Sequence, residues 1–468
     1  MKNLTLENIT KVCNGTYHGP QEKLQEEVTA ITTDSRKVEK GGLFVPVVGE
    51  RVDAHRFIPQ VMEAGALATL SERVLEGADY PYIQVESSLQ AVKDIAEFYL
   101  EQLDIPVVGI TGSVGKTSTK EVIASVLKEK YRTLKTQGNF NNELGLPLTV
   151  FRLRDDDEVA VLEMGISDFG EMDRLSKIAQ PDISVITNIG LCHLENLKTR
   201  DGILKAKTEI FNNMKPDGIA ILNGDDDKLI TVDEVNGKKP ERFGINYKDG
   251  VYAKDIENLG LSGTKFVISG LNCVDGCKDF EVTVPVPGHH MIYNALAAAC
   301  VGAALELTSA QIADGITDLK TISGRNNIIK TSKYTLIDDC YNANPVSMKA
   351  SVDVLDMAIG RKVCILGNMY ELGENEKNLH YDVGQYIGTK NIDVLITIGD
   401  LARHIAMGTD DYMETHFGSY DCEIHSFDDM EEFNMAYSSI LKDNDNILIK
   451  ASHAMKFADI VELLSKDN

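Results

Sequence analysis

The feature that most constrains the fold is a glycine loop between an apolar run and a helical pattern, within residues 105–128. The apolar residues 105–110 predict a buried strand, and the apolar residues of 122–127 recur at helical spacing. Gly112 and Gly115 allow a tight turn that brings backbone N–H groups and a helix N-terminus together around phosphate oxygens. The sequence therefore predicts a phosphate-binding loop here.

The loop and the first turn of its helix supply the predicted phosphate contacts. Lys116 provides a point charge, and the hydroxyl of Thr117 is a suitable ligand for Mg²⁺. The strict P-loop pattern has a glycine where this chain has Ile110, so the loop is a variant, and an ordinary strand-to-helix turn is the alternative. The predicted set is Gly112, Ser113, Val114, Gly115, Lys116, Thr117 and Ser118.

Length and charge limit the other possibilities. A chain of 468 residues is too long for one core, and ordinary domain sizes suggest three domains. The 72 acidic against 47 basic residues give a formal net charge of -25, which disfavours a broad nucleic-acid or anionic-membrane surface. No apolar run is long enough to span a bilayer, and the first residues form no leader, so we expect a cytoplasmic protein without an integral membrane segment. Its eight scattered cysteines predict free thiols.

The succession of predicted elements indicates an α/β protein. Residues 1–103 predict a small α/β unit, and residues 104–322 predict a unit with a parallel sheet around the glycine loop. In residues 323–468, four apolar strands alternate with helical stretches, which favours a mostly parallel sheet. Ligands of such sheets bind beyond the carboxyl ends of the strands. We therefore expect functional side chains directly after the predicted strands.

Two residues of the central unit have chemistry that depends on burial. Glu163 ends the apolar stretch 159–163, where a carboxylate is a suitable Mg²⁺ ligand, although a surface glutamate is the plain alternative. Lys207 shares an apolar helix face with Ile203 and Phe211. Burial would lower the pKa of this lysine, and a neutral amine can add CO₂ to form a carbamate. From the pattern alone, a snorkelling or ion-paired lysine is the simpler interpretation.

The other candidate residues lie in predicted loops or at a helix start. Ser35 and Arg36 suit a base, a sugar or a diphosphate, but the same residues are also typical of a solvated turn. Arg325 follows Gly324 at the start of the third unit, where it can reach a phosphate group. The remaining polar candidates are His193, Asn294, Asp339, Tyr341, Asn342 and Asn344.

Together these motifs resemble those of the Mur ligase family. The resemblance covers nearly the whole chain in family order, through TDSR, ITGSVGKTSTKE, GNFNNELGLPL, LEMG, ITNIGLCHLE, KAKTEI, GHH, GR, DDCYNANPVSM and LGNMYELGE. DDCYNANP and GNFNNELGLPL are most similar to members that add D-alanyl-D-alanine to UDP-N-acetylmuramoyl-tripeptide. The resemblance implies an ATP-dependent ligase of peptidoglycan precursor synthesis that acts through an acyl phosphate.

The resemblance also implies an architecture and a set of roles. It implies a UDP-sugar-binding domain (1–103), a central ATP-binding P-loop domain (104–322), a Rossmann-like C-terminal domain (323–468) and a monomer. The implied ligand contacts are Ser35 and Arg36 for UDP, the glycine-loop set with Asn294, Arg325 and Asp339 for ATP, and Tyr341, Asn342 and Asn344 on the acceptor side. The implied Mg²⁺ ligands are Thr117 and Glu163 for one ion, and His193 and carbamylated Lys207 for another. The implied catalytic residues are Lys116, His193, Lys207 and Arg325.

The chain departs from the family pattern at four positions. Met291 takes the place of an asparagine, and Asn368 takes the place of an aspartate. Ala451 and His453 replace the glycine and the arginine of a GSRGMK-like string.

Other classes make different demands on the sequence. A P-loop GTPase or motor would end its second strand in aspartate, and a GTPase would contain an NKxD string, whereas this chain has Glu163 and no NKxD. A protein that only binds nucleotide sugars would not hydrolyse ATP in response to both acceptor substrates. Within the family, a folylpolyglutamate synthetase should lack the unit before residue 104. The ligase that adds the third residue should contain a DNPR-like string, which this chain lacks.

Overall fold

The computed structural model describes residues 1–49, 52–320, 323–416 and 421–466. Within these ranges the strands form three sheets that follow one another along the chain, with helices packed on them. This arrangement confirms the predicted α/β class. The expected boundary between residues 322 and 323 falls partly on Ile322, which lies outside the described residues. None of the helices in the described ranges has the length and apolar character needed to cross a bilayer.

The N-terminal sheet consists of short strands. They are β1 (Thr16–His18), β2 (Ile31–Thr32), β3 (Leu43–Phe44), β4 (Ala68–Ser71) and β5 (Tyr82–Gln84), in the spatial order β1-β5-β4-β3-β2. The helices of this part are α1 (Leu6–Val12), α2 (Ile58–Glu63) and α3 (Ser88–Leu103). Strand β1 runs antiparallel to β5, and the other pairs are parallel.

The central sheet contains the glycine loop. Its strands are β6 (Val107–Thr111), β7 (Thr133–Lys135), β8 (Val159–Glu163), β9 (Ile183–Ile186), β10 (Ile219–Asn223), β11 (Glu241–Gly244), β12 (Val251–Asn258), β13 (Thr264–Ser269) and β14 (Asp279–Val284). Its helices are α4 (Lys116–Leu127), α5 (Gly145–Val150), α6 (Glu171–Ala179), α7 (Leu194–Leu197), α8 (Arg200–Thr208), α9 (His290–Ala304) and α10 (Ser309–Thr317). The spatial order is β14-β13-β12-β11-β10-β9-β6-β8-β7.

The prediction of a parallel central sheet is correct for only part of it. From β7 to β12 in the spatial order, a run that includes β6, neighbouring strands pair in parallel. Strands β12, β13 and β14 pair antiparallel and extend the sheet at one edge. The physical reason is the short connection at residues 259–263, because a parallel crossover needs a dozen residues or more. The glycine loop follows β6, which lies between β8 and β9, so the parallel part of the sheet positions the site.

The C-terminal sheet is parallel except at one edge. Its strands are β15 (Asn327–Lys330), β16 (Thr335–Asp338), β17 (Lys362–Gly367), β18 (Val394–Ile398), β19 (Glu423–Phe427) and β20 (Asn446–Lys450), in the order β15-β16-β20-β17-β18-β19. The helices are α11 (Pro345–Asp356), α12 (Glu376–Gly388), α13 (Arg403–Thr415), α14 (Met430–Ile440) and α15 (Ala458–Lys466). The four predicted strands correspond to β16, β17, β18 and β20, and β15 pairs antiparallel to β16.

Apolar packing fixes how the sheets are placed. One core runs from the N-terminal sheet into one face of the central sheet, where α3 packs on α5 and α6. The hydroxyl of Tyr99 on α3 donates a hydrogen bond to the carbonyl of Leu153 at 2.8 Å across this junction. Helices α4, α9 and α10 cover the opposite face of the central sheet. Leu261, from the antiparallel extension, packs against the core of the C-terminal sheet.

Candidate nucleotide and metal site

The glycine loop is tied to the end of β9 by hydrogen bonds. The backbone N–H of Ser113 donates to the carbonyl of Asn188 (3.0 Å), and that of Val114 donates to Asn188 Oδ1 (2.9 Å). The carbonyl of Val114 accepts from Asn188 Nδ2 (2.9 Å) and from Thr187 Oγ1 (2.7 Å). The loop is therefore held in shape by protein groups alone, and a phosphate would meet a preformed turn.

Gly112 is a position of the glycine loop where an added side chain would not fit. Its φ is +151°, and a Cβ there would lie 1.9 Å from Thr187 Oγ1. Gly115, at φ +82°, precedes the first residue of α4. Lys116 Nζ donates to the carbonyl of Gly112 at 2.8 Å, so the ammonium lies over the loop where the sequence predicts phosphate.

Glu163 is buried at the end of β8, with only 2% of its surface exposed, so the surface-glutamate alternative is wrong. Its Oε1 accepts hydrogen bonds from Thr117 Oγ1 (3.2 Å) and from Asn141 Nδ2 (2.9 Å). Its Oε2 is buried without a hydrogen-bond partner among the described residues, and Lys120 Nζ is 3.8 Å away. A buried carboxylate oxygen without a donor is a suitable ligand for a hard cation such as Mg²⁺.

Lys207 is fully buried on α8, as its apolar stripe predicts. Burial, together with the charge of Lys116, lowers the pKa of its amine to about 7. Its Nζ has no hydrogen-bond partner among the described residues. A snorkelling lysine would be exposed and an ion-paired lysine would have a carboxylate partner, so both simpler interpretations are wrong.

His193 lies near Lys207 and Lys116 and precedes α7. Burial is the main cause that lowers the pKa of its imidazole to about 4, and the charges of the two lysines add to the effect. The ring is therefore neutral at physiological pH, which is the form that ligates metals. Its φ of +55° is a left-handed conformation that is uncommon outside glycine.

In the described ranges, no three His, Cys, Asp or Glu side chains converge to hold a metal ion. A divalent ion next to Glu163 would therefore complete its shell with Thr117, phosphate oxygens and water, as Mg²⁺ commonly does.

A cavity of about 390 Å³ opens beside the glycine loop, between the central and C-terminal sheets. It brings together the sequence-predicted residues Val114, Gly115, Ser118, Asn294, Arg325 and Asp339. Asp225, Tyr293 and Lys450 also line it and were missed by the sequence analysis. Six predicted nucleotide contacts from two sheets thus share one cavity, whereas the predicted contacts Gly112, Ser113, Lys116 and Thr117 are not among its lining residues.

Asn294 is buried in the wall of this cavity, on α9. Its Oδ1 accepts from Thr119 Oγ1 at 3.0 Å, which ties α9 to α4. Its Nδ2 lies 3.2 Å from the sulfur of Met291, one of the four departures from the family pattern. A thioether is a weak acceptor, so the amide is free to turn towards a better partner.

Asp339 and Lys450 form a buried pair at the C-terminal side of the cavity. Lys450 Nζ lies 2.5 Å from Asp339 Oδ2, which also accepts from Ser351 Oγ at 2.6 Å. The other carboxylate oxygen accepts from the N–H of Asn326 at 3.1 Å. A nucleoside that contacts Asp339 would therefore bind carboxylate oxygens that already accept from Lys450, Ser351 and Asn326. In the sequence, Lys450 is distinguished only by its position at the end of a predicted apolar strand.

Arg325 is held at the cavity by an aromatic ring. Its guanidinium lies 4.2 Å from the ring centre of Tyr341, a favourable cation–π distance. The ring of Tyr341 in turn lies 5.4 Å from that of His453, another departure from the family pattern. Tyr341 therefore supports Arg325 in this structure.

The two asparagines predicted for the acceptor side form local hydrogen bonds. Asn344 caps α11, with its Oδ1 accepting from the N–H of Ser347 at 2.9 Å. Asn342 Oδ1 accepts from the N–H of Ala343 at 2.9 Å. Their contact with an acceptor stays a prediction.

Ser35 and Arg36 do not line the 390 Å³ cavity. Arg36 is exposed, and its Nε and Nη2 donate to the two carboxylate oxygens of Asp34 at 2.9 and 2.8 Å. The planar fork of the guanidinium is therefore occupied by Asp34, and a diphosphate would have to replace that carboxylate. Contact with UDP stays a prediction.

Family models match three successive parts of the chain. They are described as Mur ligase family, catalytic domain (residues 27–100), Mur ligase middle domain (110–302) and Mur ligase, glutamate ligase domain (324–453). The chain is 37% identical to the UDP-N-acetylmuramoyl-tripeptide–D-alanyl-D-alanine ligase of Bacillus subtilis (strain 168), over 98% of this chain and 97% of the relative. The chain belongs to the Mur ligase family. The family resemblance drawn from the motifs is thereby confirmed.

Other Mur ligases are similar over their whole length. The ligase of the same name from Escherichia coli (strain K12) is 34% identical, over 100% of this chain and 99% of the relative. A crystal structure of MurF from Acinetobacter baumannii superposes with a TM-score of 0.88 at 31% identity, covering 99% of both chains. MurF from Thermotoga maritima in complex with ADP gives a TM-score of 0.80 at 31% identity, covering 94% of this chain and 97% of that one.

The close approach at Gly112 generates a prediction for this Mur ligase. Gly112→Ala should weaken ADP binding by about tenfold to a hundredfold, because relief of the clash with Thr187 must distort the loop. Gly138→Ala is the matched control, since Gly138 also has a positive φ but no neighbour within 4 Å of an added Cβ. Titration calorimetry with ADP measures both. Equal affinity in the two variants would contradict the role assigned to the turn.

Proposed function

We propose that this chain joins D-alanyl-D-alanine to UDP-N-acetylmuramoyl-tripeptide, with hydrolysis of ATP to ADP and phosphate, in peptidoglycan precursor synthesis. The observation that carries this proposal is the end-to-end match to relatives named for that reaction. The glycine loop with Lys116 over it, and the buried Glu163 that accepts from Thr117, support it because this set suits phosphate transfer.

The three parts of the chain would divide the work. Residues 1–103 would bind the UDP-sugar, with Ser35 and Arg36 near the UDP group. Residues 104–322 would bind ATP, and residues 323–468 would complete the site with Arg325, Asp339 and the acceptor-side residues. The complex of the Thermotoga maritima MurF with ADP supports the nucleotide assignment. A cytoplasmic location and a monomeric state stay predictions of the sequence.

The proposed reaction activates a carboxylate. An oxygen of the terminal tripeptide carboxylate attacks the γ-phosphorus of ATP, the bond to the β-phosphate oxygen breaks, and ADP leaves. The product is an acyl phosphate. The amine of D-alanyl-D-alanine then attacks its carbonyl carbon and loses a proton, and the tetrahedral intermediate collapses to the amide and inorganic phosphate. A carboxylate must be phosphorylated before the amine attacks, because its unmodified oxygen is a poor leaving group.

The chain's cations would make the first step feasible. The carboxylate and the triphosphate are both anions, so positive charge must be positioned where they meet. Lys116 lies over the glycine loop, and Arg325 borders the cavity beside that loop. Lys116 and Arg325 would therefore act on the phosphate groups.

The donors present fit the proposed metal ions. Thr117 and the free oxygen of Glu163 would hold one Mg²⁺, which when bound supplies positive charge to phosphate oxygens. A carbamate on Lys207 would turn a buried amine without a partner into an oxygen donor beside His193, and these two residues would hold a second Mg²⁺. The burial of Lys207 protects such a group from the bulk solvent.

Substrate selection tests the proposed function. Phosphate release should require UDP-N-acetylmuramoyl-tripeptide and D-alanyl-D-alanine together, with L-amino acids and glutamate inactive in place of the dipeptide. A coupled assay of released phosphate measures this directly. Release with glutamate but not with the dipeptide would overturn the assignment.

The carbamate on Lys207 has its own test. With ¹³C-bicarbonate, the chain should show one carbamate carbon signal in its NMR spectrum, and Lys207→Ala should lack both the signal and activity. Lys205→Ala is the matched control, because Lys205 is on the same helix but exposed, and this variant should keep the signal. Full activity in Lys207→Ala would count against the carbamate.

A further inference from the structure

Lys120 is a buried cation for which the proposed reaction has no direct use. It is on α4, one helical turn after Lys116, and only 1% of its surface is exposed. Its ammonium donates to the carbonyl of Thr136 at 2.8 Å and lies 3.1 Å from Glu121 Oε1. On its other side it lies 3.8 Å from the free Oε2 of Glu163. A buried ammonium is costly unless its neighbours compensate it, so this arrangement needs an explanation.

The charges around Glu163 are balanced before any ligand binds. Glu121 pairs with Lys135 as well as with Lys120, so two lysines face two carboxylates. Lys116 adds a further positive charge over the glycine loop. A bare divalent cation would therefore meet a carboxylate that is already neutralised, and no group of three or more His, Cys, Asp or Glu side chains converges there in the described ranges. A nucleotide brings several negative charges and changes this balance.

We propose that Lys120 is a positioning residue that makes the metal site depend on nucleotide. Its ammonium neutralises Glu163 and holds the carboxylate at the end of β8, so a divalent cation binds there with phosphate oxygens and not alone. This inference rests on the proposed nucleotide site. It makes no demand on the acceptor, and metal binding can be measured without turnover, so its failure is distinct from a failure of the proposed ligase activity.

Binding of MnCl₂, followed by the loss of the free-ion electron paramagnetic resonance signal, tests the proposal. Without nucleotide, Lys120→Met should bind Mn²⁺ at least about tenfold more tightly than the wild type, because the competing cation is gone. Lys120→Arg keeps the charge and should behave as the wild type does. Adding ADP should bring the wild type and Lys120→Arg to tight Mn²⁺ binding, measured as signal loss beyond that caused by the same concentration of ADP without protein.

Two further variants separate this role from a purely structural one. Lys135→Met also removes a lysine that contacts Glu121, but Lys135 is partly exposed and is paired with Glu121 rather than Glu163, so its gain in Mn²⁺ binding without nucleotide should be much smaller than that of Lys120→Met. The double variant Lys120→Met/Glu163→Gln lacks the carboxylate and should lose the tight binding gained in the single variant.

Several results would overturn the proposal. One is Mn²⁺ binding by folded Lys120→Met that is no tighter than that of the wild type, and another is an equal gain in Lys135→Met. Lys120→Gln, which keeps a hydrogen-bond donor, replaces Lys120→Met if circular dichroism shows that the latter is unfolded. If the Mn²⁺ binding that Glu163→Gln removes is equally tight with and without ADP in the wild type, the proposal is refuted whatever the other variants do.

Discussion

Buried polar groups at the carboxyl ends of the central strands must find hydrogen-bond partners, and this requirement shapes the rest of the site. The glycine loop meets part of this need with Asn188 and Thr187. Asn188 accepts from the N–H groups of Ser113 and Val114, and both residues donate to the carbonyl of Val114. Near the loop, Glu163 Oε2, Lys207 Nζ and Arg325 Nε are buried without hydrogen-bond partners among the described residues. Such atoms also occur elsewhere in the described ranges, for example Arg152 Nη1 and Asp445 Oδ1. Unsatisfied buried groups are costly, so the three near the loop are places where ligand atoms can supply the missing partner.

Strand order explains why these groups meet. β6 lies between β8 and β9, so the loop after β6 has Glu163 on one side and Asn188 on the other. Crevices at the carboxyl ends of parallel strands are the usual ligand sites of such sheets. The C-terminal sheet then supplies the outer wall of the cavity through Arg325, Asp339 and Lys450. The cavity therefore lies between two sheets, and the charged side chains that line it come from both.

The residues that could be found from the sequence are those with a local signal. The glycine loop is contiguous, Glu163 ends an apolar strand, and the burial of Lys207 follows from the spacing of its helix. Lys120 was missed because its partners Thr136 and Glu163 are distant in sequence and meet only through the sheet. Asn344 has a structural role that the sequence analysis did not assign, since it caps α11, and its predicted contact with the acceptor stays a prediction. The edge strand β19 was missed because its EIHSF sequence is half-exposed and gives little apolar signal.

In the proposed reaction ATP phosphorylates one oxygen of the carboxylate, and this oxygen leaves as part of phosphate after the amine attacks. Labelling the terminal carboxylate of the UDP-linked tripeptide with ¹⁸O, followed by mass spectrometry of the released phosphate, tests this step directly. One labelled oxygen should pass from the carboxylate to phosphate for each amide formed. Phosphate that contains no label, released together with amide, would contradict it.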